Sequence, residues 1–150
     1  MKNLFYLLLS IIILSACNQG SNKTITDDSV IHENADIDTV LTLNNDAKWK
    51  TDSITDHNVV NLKTIADNFR IKPFPSVTDY QLLGNDLNGG VNKLIHDCKM
   101  SGPAHDALHK WLEPVLSQTN HLKTITDTSV ARTTFKSIDA RIDAYHTFFE

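Results

Sequence analysis

The chain has 150 residues, 41% of them hydrophobic and 21% charged, with 14 Lys and Arg against 18 Asp and Glu, for a formal charge of −4. That length suits one domain. An acidic chain with no Lys/Arg run lacks the positive field that binding to a phosphate backbone needs, so nucleic acid is not an expected partner, and five Gly with four Pro exclude collagen-like or Gly-rich designs.

Residues 1–16 read as a secretory signal: Lys2 supplies the positive start, and the apolar run Leu4 to Leu14 follows. At about eleven residues that run is too short to cross roughly 30 Å of hydrocarbon, so it is not expected to span a membrane. Leu14-Ser15-Ala16-Cys17 resembles the lipobox of bacterial lipoproteins. The resemblance implies cleavage just before Cys17 and diacylglycerol on its thiol, and several acyl chains together give stable anchoring to the membrane. The same small residues also suit an ordinary secretory cleavage site. No Asp follows Cys17 directly, which resembles the outer-membrane rather than the inner-membrane pattern. The expected location is therefore the cell envelope, lipid-anchored at the outer membrane and facing the periplasm.

From Cys17 to Asp38 (17–38) the chain is rich in Asn, Thr, Ser and Asp without a sustained period, as in a flexible tether. The domain is expected over 39–150. Val40 to Lys50 suits a short hairpin or an extended segment laid over that domain. Asp52 or Ser53 then caps a first helix to about Arg70, with Ile54, Leu62, Ile65 and Phe69 on one face. The run Lys72-Pro73-Phe74-Pro75-Ser76 cannot remain helical.

Thr78 or Asp79 starts a second helix with Tyr80, Leu83, Leu87, Val91, Leu94 and Cys98 on one stripe. Its glycines Gly84, Gly89 and Gly90 weaken it unless they let a neighbouring helix come close. Ser101-Gly102-Pro103 opens a third helix, with Pro103 in a first-turn position and Pro114 placed to kink the middle. The fourth starts at Asp127 to Ser129 and spaces Ala131, Phe135, Ile138, Ile142, Tyr145 and Phe149 at steps of 4 and 3, a bundle-core seam. Four amphipathic helices on short links predict an all-α, antiparallel up-down-up-down four-helix bundle.

That alternation gathers chemistry. His57, His96, His105, His109 and His146 fall at one end of the bundle, beside Cys98 and Met100. On a helix, residues i and i+4 lie about 5–6 Å apart at Cβ, so His105 and His109 can reach one metal ion together. Cys98 and Met100 sit in and before the turn that leads to them, and His57 is placed to approach from the first helix. Thiolate, thioether and imidazole are soft donors, which select copper first and zinc next and disfavour Mg or Ca. Asp97, Asp106 and Glu113 are candidates to orient the imidazoles. Non-covalent haem on Met100 and a histidine is a further possibility, but no Cys-x-x-Cys-His provides covalent attachment.

Each of these residues also has a plainer role. Cys98 extends the core stripe of the second helix and can be a buried thiol, a ligand or one half of an intermolecular disulfide. Met100 can plug the end of the core. Trp49 and Trp111 suit packing anchors. No Gly-rich loop, oxyanion motif or third orienting residue accompanies the Cys98 and His105 pair, so no enzyme is expected. The segments Cys98-Lys99-Met100-Ser101-Gly102, His105, Leu108-His109 and Lys110-Trp111-Leu112, with Lys48-Trp49-Lys50, resemble a group of uncharacterised small bacterial lipoproteins. The likeness spans about residues 40–150 and implies a helical-bundle lipoprotein, with no functional residue carried over. Copper carriage or buffering is thus the expected function, and a structural or interaction role in the envelope, with an unidentified protein partner, is the alternative.

Overall fold

The computed structural model describes residues 40–150, which form one compact unit. The signal, the lipobox with Cys17 and the tether over 17–38 lie outside the described residues. The described chain is an all-α four-helix bundle in which the elements follow α1 (Ser53–Arg70), α2 (Val77–Asp97), α3 (Pro103–Leu122), α4 (Thr128–Asp143) and a single turn, α5 (Tyr145–Phe148). Among the described residues no helix is long and apolar enough to cross a membrane.

Side chains present in the sequence at the right offsets set the helix starts. Asp52 accepts the Thr55 amide at 2.7 Å, and Asp127 accepts those of Ser129 and Val130, which satisfies donors that a first helical turn leaves over. Ser76 and Asp79 form a reciprocal capping box, so α2 begins at Val77, slightly earlier than Thr78 or Asp79. Gly102, at φ +69°, takes a left-handed conformation that favours glycine and turns the chain into Pro103 in the first turn of α3.

The helices alternate in direction, as pairs of residues at each level show. Phe69 near the end of α1 lies 5.1 Å from Tyr80 near the start of α2, while Asn58 near the start of α1 bonds Asp97 at the end of α2. Between α2 and α3, Asn88 bonds Asn120. Between α3 and α4, Trp111 pairs with Arg141 and Gln118 with Ser137. Along α1 and α4 the order is reversed: Phe69 meets Phe135, Lys63 meets Asp143 and Asp56 meets Tyr145.

The expected core stripes of α2 and α4 are buried: Tyr80, Leu83, Leu87, Val91 and Leu94 on one, and Ala131, Phe135, Ile138, Ile142, Tyr145 and Phe149 on the other. Cys98, expected as the last residue of the α2 stripe, is the C-cap and only half-buried. The seam of the fourth helix continues across a break at Ala144. On α1 the inward face differs from expectation, because Ile54 is 37% exposed while Thr55, Asn58, Val59, Leu62 and Ala66 are buried. The polar Thr55 and Asn58 face inward where α1 meets the end of α2, and Asn58 spends its amide nitrogen on Asp97 at 3.2 Å.

Two cross-links fix the half of the bundle where α1 starts and α4 ends. Pro114 has no amide hydrogen, so the Lys110 carbonyl loses its donor within α3. Arg141 of α4 replaces it, donating from Nη2 to Lys110 O at 2.8 Å and from Nε to Trp111 O at 2.9 Å, while Trp111 Nε1 donates to Arg141 O at 2.9 Å. Tyr145, fully buried, donates to Asp56 Oδ1 at 2.7 Å, and Thr51 Oγ1 donates to the same oxygen at 2.6 Å. Burial pushes the Tyr145 phenol well above its ordinary range.

The segment before α1 combines both forms expected for it. Asn44 and Ala47 bond each other across a two-residue turn in which Asn45 and Asp46 have positive φ, the geometry of a tight hairpin turn. The chain then runs extended beside the carboxyl end, where Trp49 N donates to Phe148 O at 2.8 Å, Glu150 N to Trp49 O at 3.0 Å and Thr51 N to Glu150 O at 2.9 Å.

Gly84 explains how α2 and α3 come so close: a Cβ there would lie 2.8 Å from the Lys123 backbone nitrogen. At Gly90 the obstacle is only the tip of Leu62, and at Gly89 the space is open. Gly84→Ala is therefore expected to destabilise the protein by about 1–3 kcal/mol through overpacking, whereas Gly89→Ala should stabilise it by roughly 0.5–1 kcal/mol. Urea denaturation of both variants checks the pair of signs.

Candidate functional site

The end of the bundle that holds Cys98 is organised from α1. Asp52 uses both carboxylate oxygens: Oδ1 caps α1, and Oδ2 accepts the amide of Lys99, the residue after Cys98, at 3.0 Å. Burial would push the Asp52 carboxyl up, but hydrogen bonds from Thr55 and Lys99 outweigh it and hold the carboxyl below its ordinary range. One residue before Cys98, Asp97 accepts from His96 at 2.9 Å, Lys93 at 2.6 Å and Asn58 at 3.2 Å. Those bonds, His96 first, hold Asp97 ionised far into the acid range. The backbone on either side of Cys98 is thus moored to α1.

On α3, His105, His109 and Leu112 follow at steps of 4 and 3 and form the flank that faces α2. The imidazoles of His105 and His109 meet edge to face with centroids 4.6 Å apart, and their Nε2 atoms are 3.1 Å apart. At that distance a hydrogen on either Nε2 lets that ring donate to the other. From α2, Leu94, Ile95 and Cys98 close a cavity of about 30 Å³ whose remaining walls are His105, Leu108, His109 and Leu112. A space of that size takes a single small species such as an ion or one water and not a macrocycle. Its walls are aliphatic except for one sulfur and two imidazoles. Cys98 is half-buried, His105 half-buried and His109 exposed, so the cavity reaches the surface beside the histidine pair.

The other expected ligands are placed elsewhere at the same end. Met100 packs against the hydrophobic core, as a plug for its end would. His57 is exposed on α1, His96 is committed to Asp97, and the exposed His146 lies edge-on to Tyr145 at 5.0 Å. Asp97, a candidate to orient an imidazole, bonds the ring of His96, which is not on the cavity wall, together with Asn58 and Lys93. Among the described residues no group of three or more His, Cys, Asp and Glu side chains is arranged to hold a metal ion. What converges is therefore a pair of nitrogens with one sulfur on the same cavity wall. Trp111, 1% exposed, and Trp49, which donates to the Thr42 carbonyl at 2.7 Å, are packing anchors.

The chain matches no protein-family model, no curated protein and no solved structure. The residues that sequence reasoning missed at this end are Asp52 as a two-way anchor, Asn58 and Ile95. Asp52 carried a signal as a helix cap, but its second partner, Lys99, is 47 positions away in the chain.

Asp52→Ala removes a helix cap and the Lys99 mooring together, and should cost roughly 1 kcal/mol or more in urea denaturation. Because the Asp52 and Asp97 carboxyls are lowered in the folded state, their stabilisation is complete above the unfolded value of about 3.9 and is lost as pH falls through their lowered values. The Asp52→Asn and Asp97→Asn variants should accordingly lose less melting temperature than the parent between pH 5 and pH 2, in thermal melts followed by circular dichroism.

Proposed function

We propose that the protein is a lipid-anchored envelope lipoprotein, tethered through Cys17, that binds a soft transition metal at the α2–α3 end and acts as a carrier or buffer rather than a catalyst. The observation that supports this reading is the 3.1 Å approach of His105 Nε2 to His109 Nε2 on the wall of a small cavity shared with Cys98. That separation is less than the span of two metal–nitrogen bonds of about 2.0–2.1 Å, so a single ion can join both rings without a change of helix geometry.

The donor set favours copper over zinc. Two imidazoles and a thiol are soft to borderline donors, which suit copper first and zinc next. Cu(I), the softest of these ions, would be held by the two imidazoles, with the Cys98 thiolate on the same cavity wall within reach as a third donor. His105 and His109 would form the clamp, with Cys98 as the sulfur donor. Met100 and His57 are left out, the first packed against the core and the second exposed on α1. A second reading, an interaction protein of the envelope, is favoured by Phe74, a residue 97% exposed at the opposite end of the bundle.

The test is a titration of reduced protein, residues 18–150, with Cu(I) against a competing chelator, and with Zn(II) as comparison. The expected result is one tightly held equivalent of Cu(I). Its affinity should fall in Cys98→Ser and His109→Gln by more than the roughly 10–100-fold that loss of an outer-shell partner costs. Circular dichroism should be unchanged in both variants, and His57→Gln should bind as the parent does. Affinity no greater than that of a free thiol, or affinity indifferent to His105 and His109, would overturn the reading.

A further inference from the structure

The link between α1 and α2 carries an apolar knob. Phe74 is 97% exposed and Ile71 82% exposed, so the largest unburied aromatic surface of the described residues lies on this turn. Phe74 also has φ +49°, a left-handed conformation uncommon for a bulky side chain. Pro73 before it and Pro75 after it restrict the backbone on both sides. A rigid aromatic loses little conformational freedom when it docks, which is the property of an anchor residue at an interface.

A hollow lies next to it. Between the end of α1 and the start of α2 runs a groove of about 370 Å³ with Ile65, Phe69, Leu82 and Leu83 among its walls, and Lys72 and Asp86 also line it. Leu82 is itself 57% exposed. Knob and groove belong to the same helix pair, the condition for an isologous contact in which each copy both gives and receives. The charges agree with that exchange. Lys72, beside the knob, bridges Asp79 of its own chain at 2.7 Å. Asp86 lies two turns further along α2, about 10 Å from Asp79, and has no ion pair among the described residues.

We propose that this end of the bundle is a self-association surface, in which Phe74 of one copy seats in the α1–α2 groove of a second copy and Lys72 beside it faces that copy's Asp86. A bilayer is the poorer occupant, because Asp79 and Asp86 line the groove beside the knob and would be carried toward the headgroups with it. The proposal is independent of the metal site, which lies at the other end of the bundle.

The full chain, purified in a mild detergent, is examined by sedimentation velocity over a range of concentrations. The expected result is a reversible dimer whose dissociation constant rises at least about 30-fold in Phe74→Asp, the loss typical of an interface anchor. Phe74→Ala should weaken it in the same direction, and far-UV circular dichroism should be unchanged in both, since the side chain is in solvent. Asp86→Lys should weaken the dimer, and Lys72→Glu with Asp86→Lys should recover part of the loss. A chain that stays monomeric throughout, or a dimer indifferent to residue 74, overturns the proposal. So does a monomer that floats with phosphatidylethanolamine and phosphatidylglycerol vesicles and loses that property in Phe74→Asp, which would assign the knob to a lipid surface.

Discussion

The paired bonds of Trp111 and Arg141 set the rotation of α3, and the half of the bundle where α1 starts and α4 ends depends on that rotation. Trp111 is buried to 1% exposure with its indole nitrogen bonded to the α4 backbone, so α3 has one way to lie. His109 is two residues earlier and His105 six, and both are thereby aimed at the flank shared with α2. Arg141 does two jobs in this arrangement, because the carbonyl it satisfies is one that Pro114 leaves without a helical donor. An isolated α3 would have an exposed defect at Lys110. Packed against α4, the defect becomes the point of attachment.

Much of the architecture was readable because bundle helices announce themselves by period. The 4-and-3 spacing from Ala131 to Phe149 is fully buried in the structure, even across the interruption at Ala144. Periodicity was less reliable for α1, where Ile54 looked like a core residue and Thr55 with Asn58 did not. Those two polar residues can face inward because α1 starts beside the end of α2, where Asp97 receives the Asn58 amide. Such a partnership spans 39 positions of sequence and leaves no mark in a local pattern. The role of Gly84 is of the same kind, since only the approach of Lys123 shows why a side chain is excluded there.

The site was legible at the level of topology and not at the level of faces. Alternating helix directions correctly bring His57, His96, His105, His109 and His146 to the end that holds Cys98, but five histidines at one end of a bundle point to several sides of it. Spacing within α3 joins His105 to His109, and the turn through Gly102 brings Cys98 onto the same wall. Met100 is only two residues beyond Cys98, yet its apolar side chain is drawn to the core. A pocket of about 30 Å³ also limits what chemistry this end can hold, a constraint that no residue count conveys.

The pairing of the two ends of the described chain has a mechanical meaning. Trp49, Thr51, Phe148 and Glu150 are tied by three backbone bonds, and Lys50 bridges Glu150 at 2.5 Å. A pull applied upstream of Val40 meets the bond from Trp49 Nε1 to Thr42 O first, and then the two bonds of the Asn44–Ala47 turn, which can open and release slack. The load then falls on the Trp49 ladder together with the buried Phe149 ring, before any helix is stretched. The segment beside the carboxyl end thus stands between any load on the leading segment and the helices that carry the histidine pair.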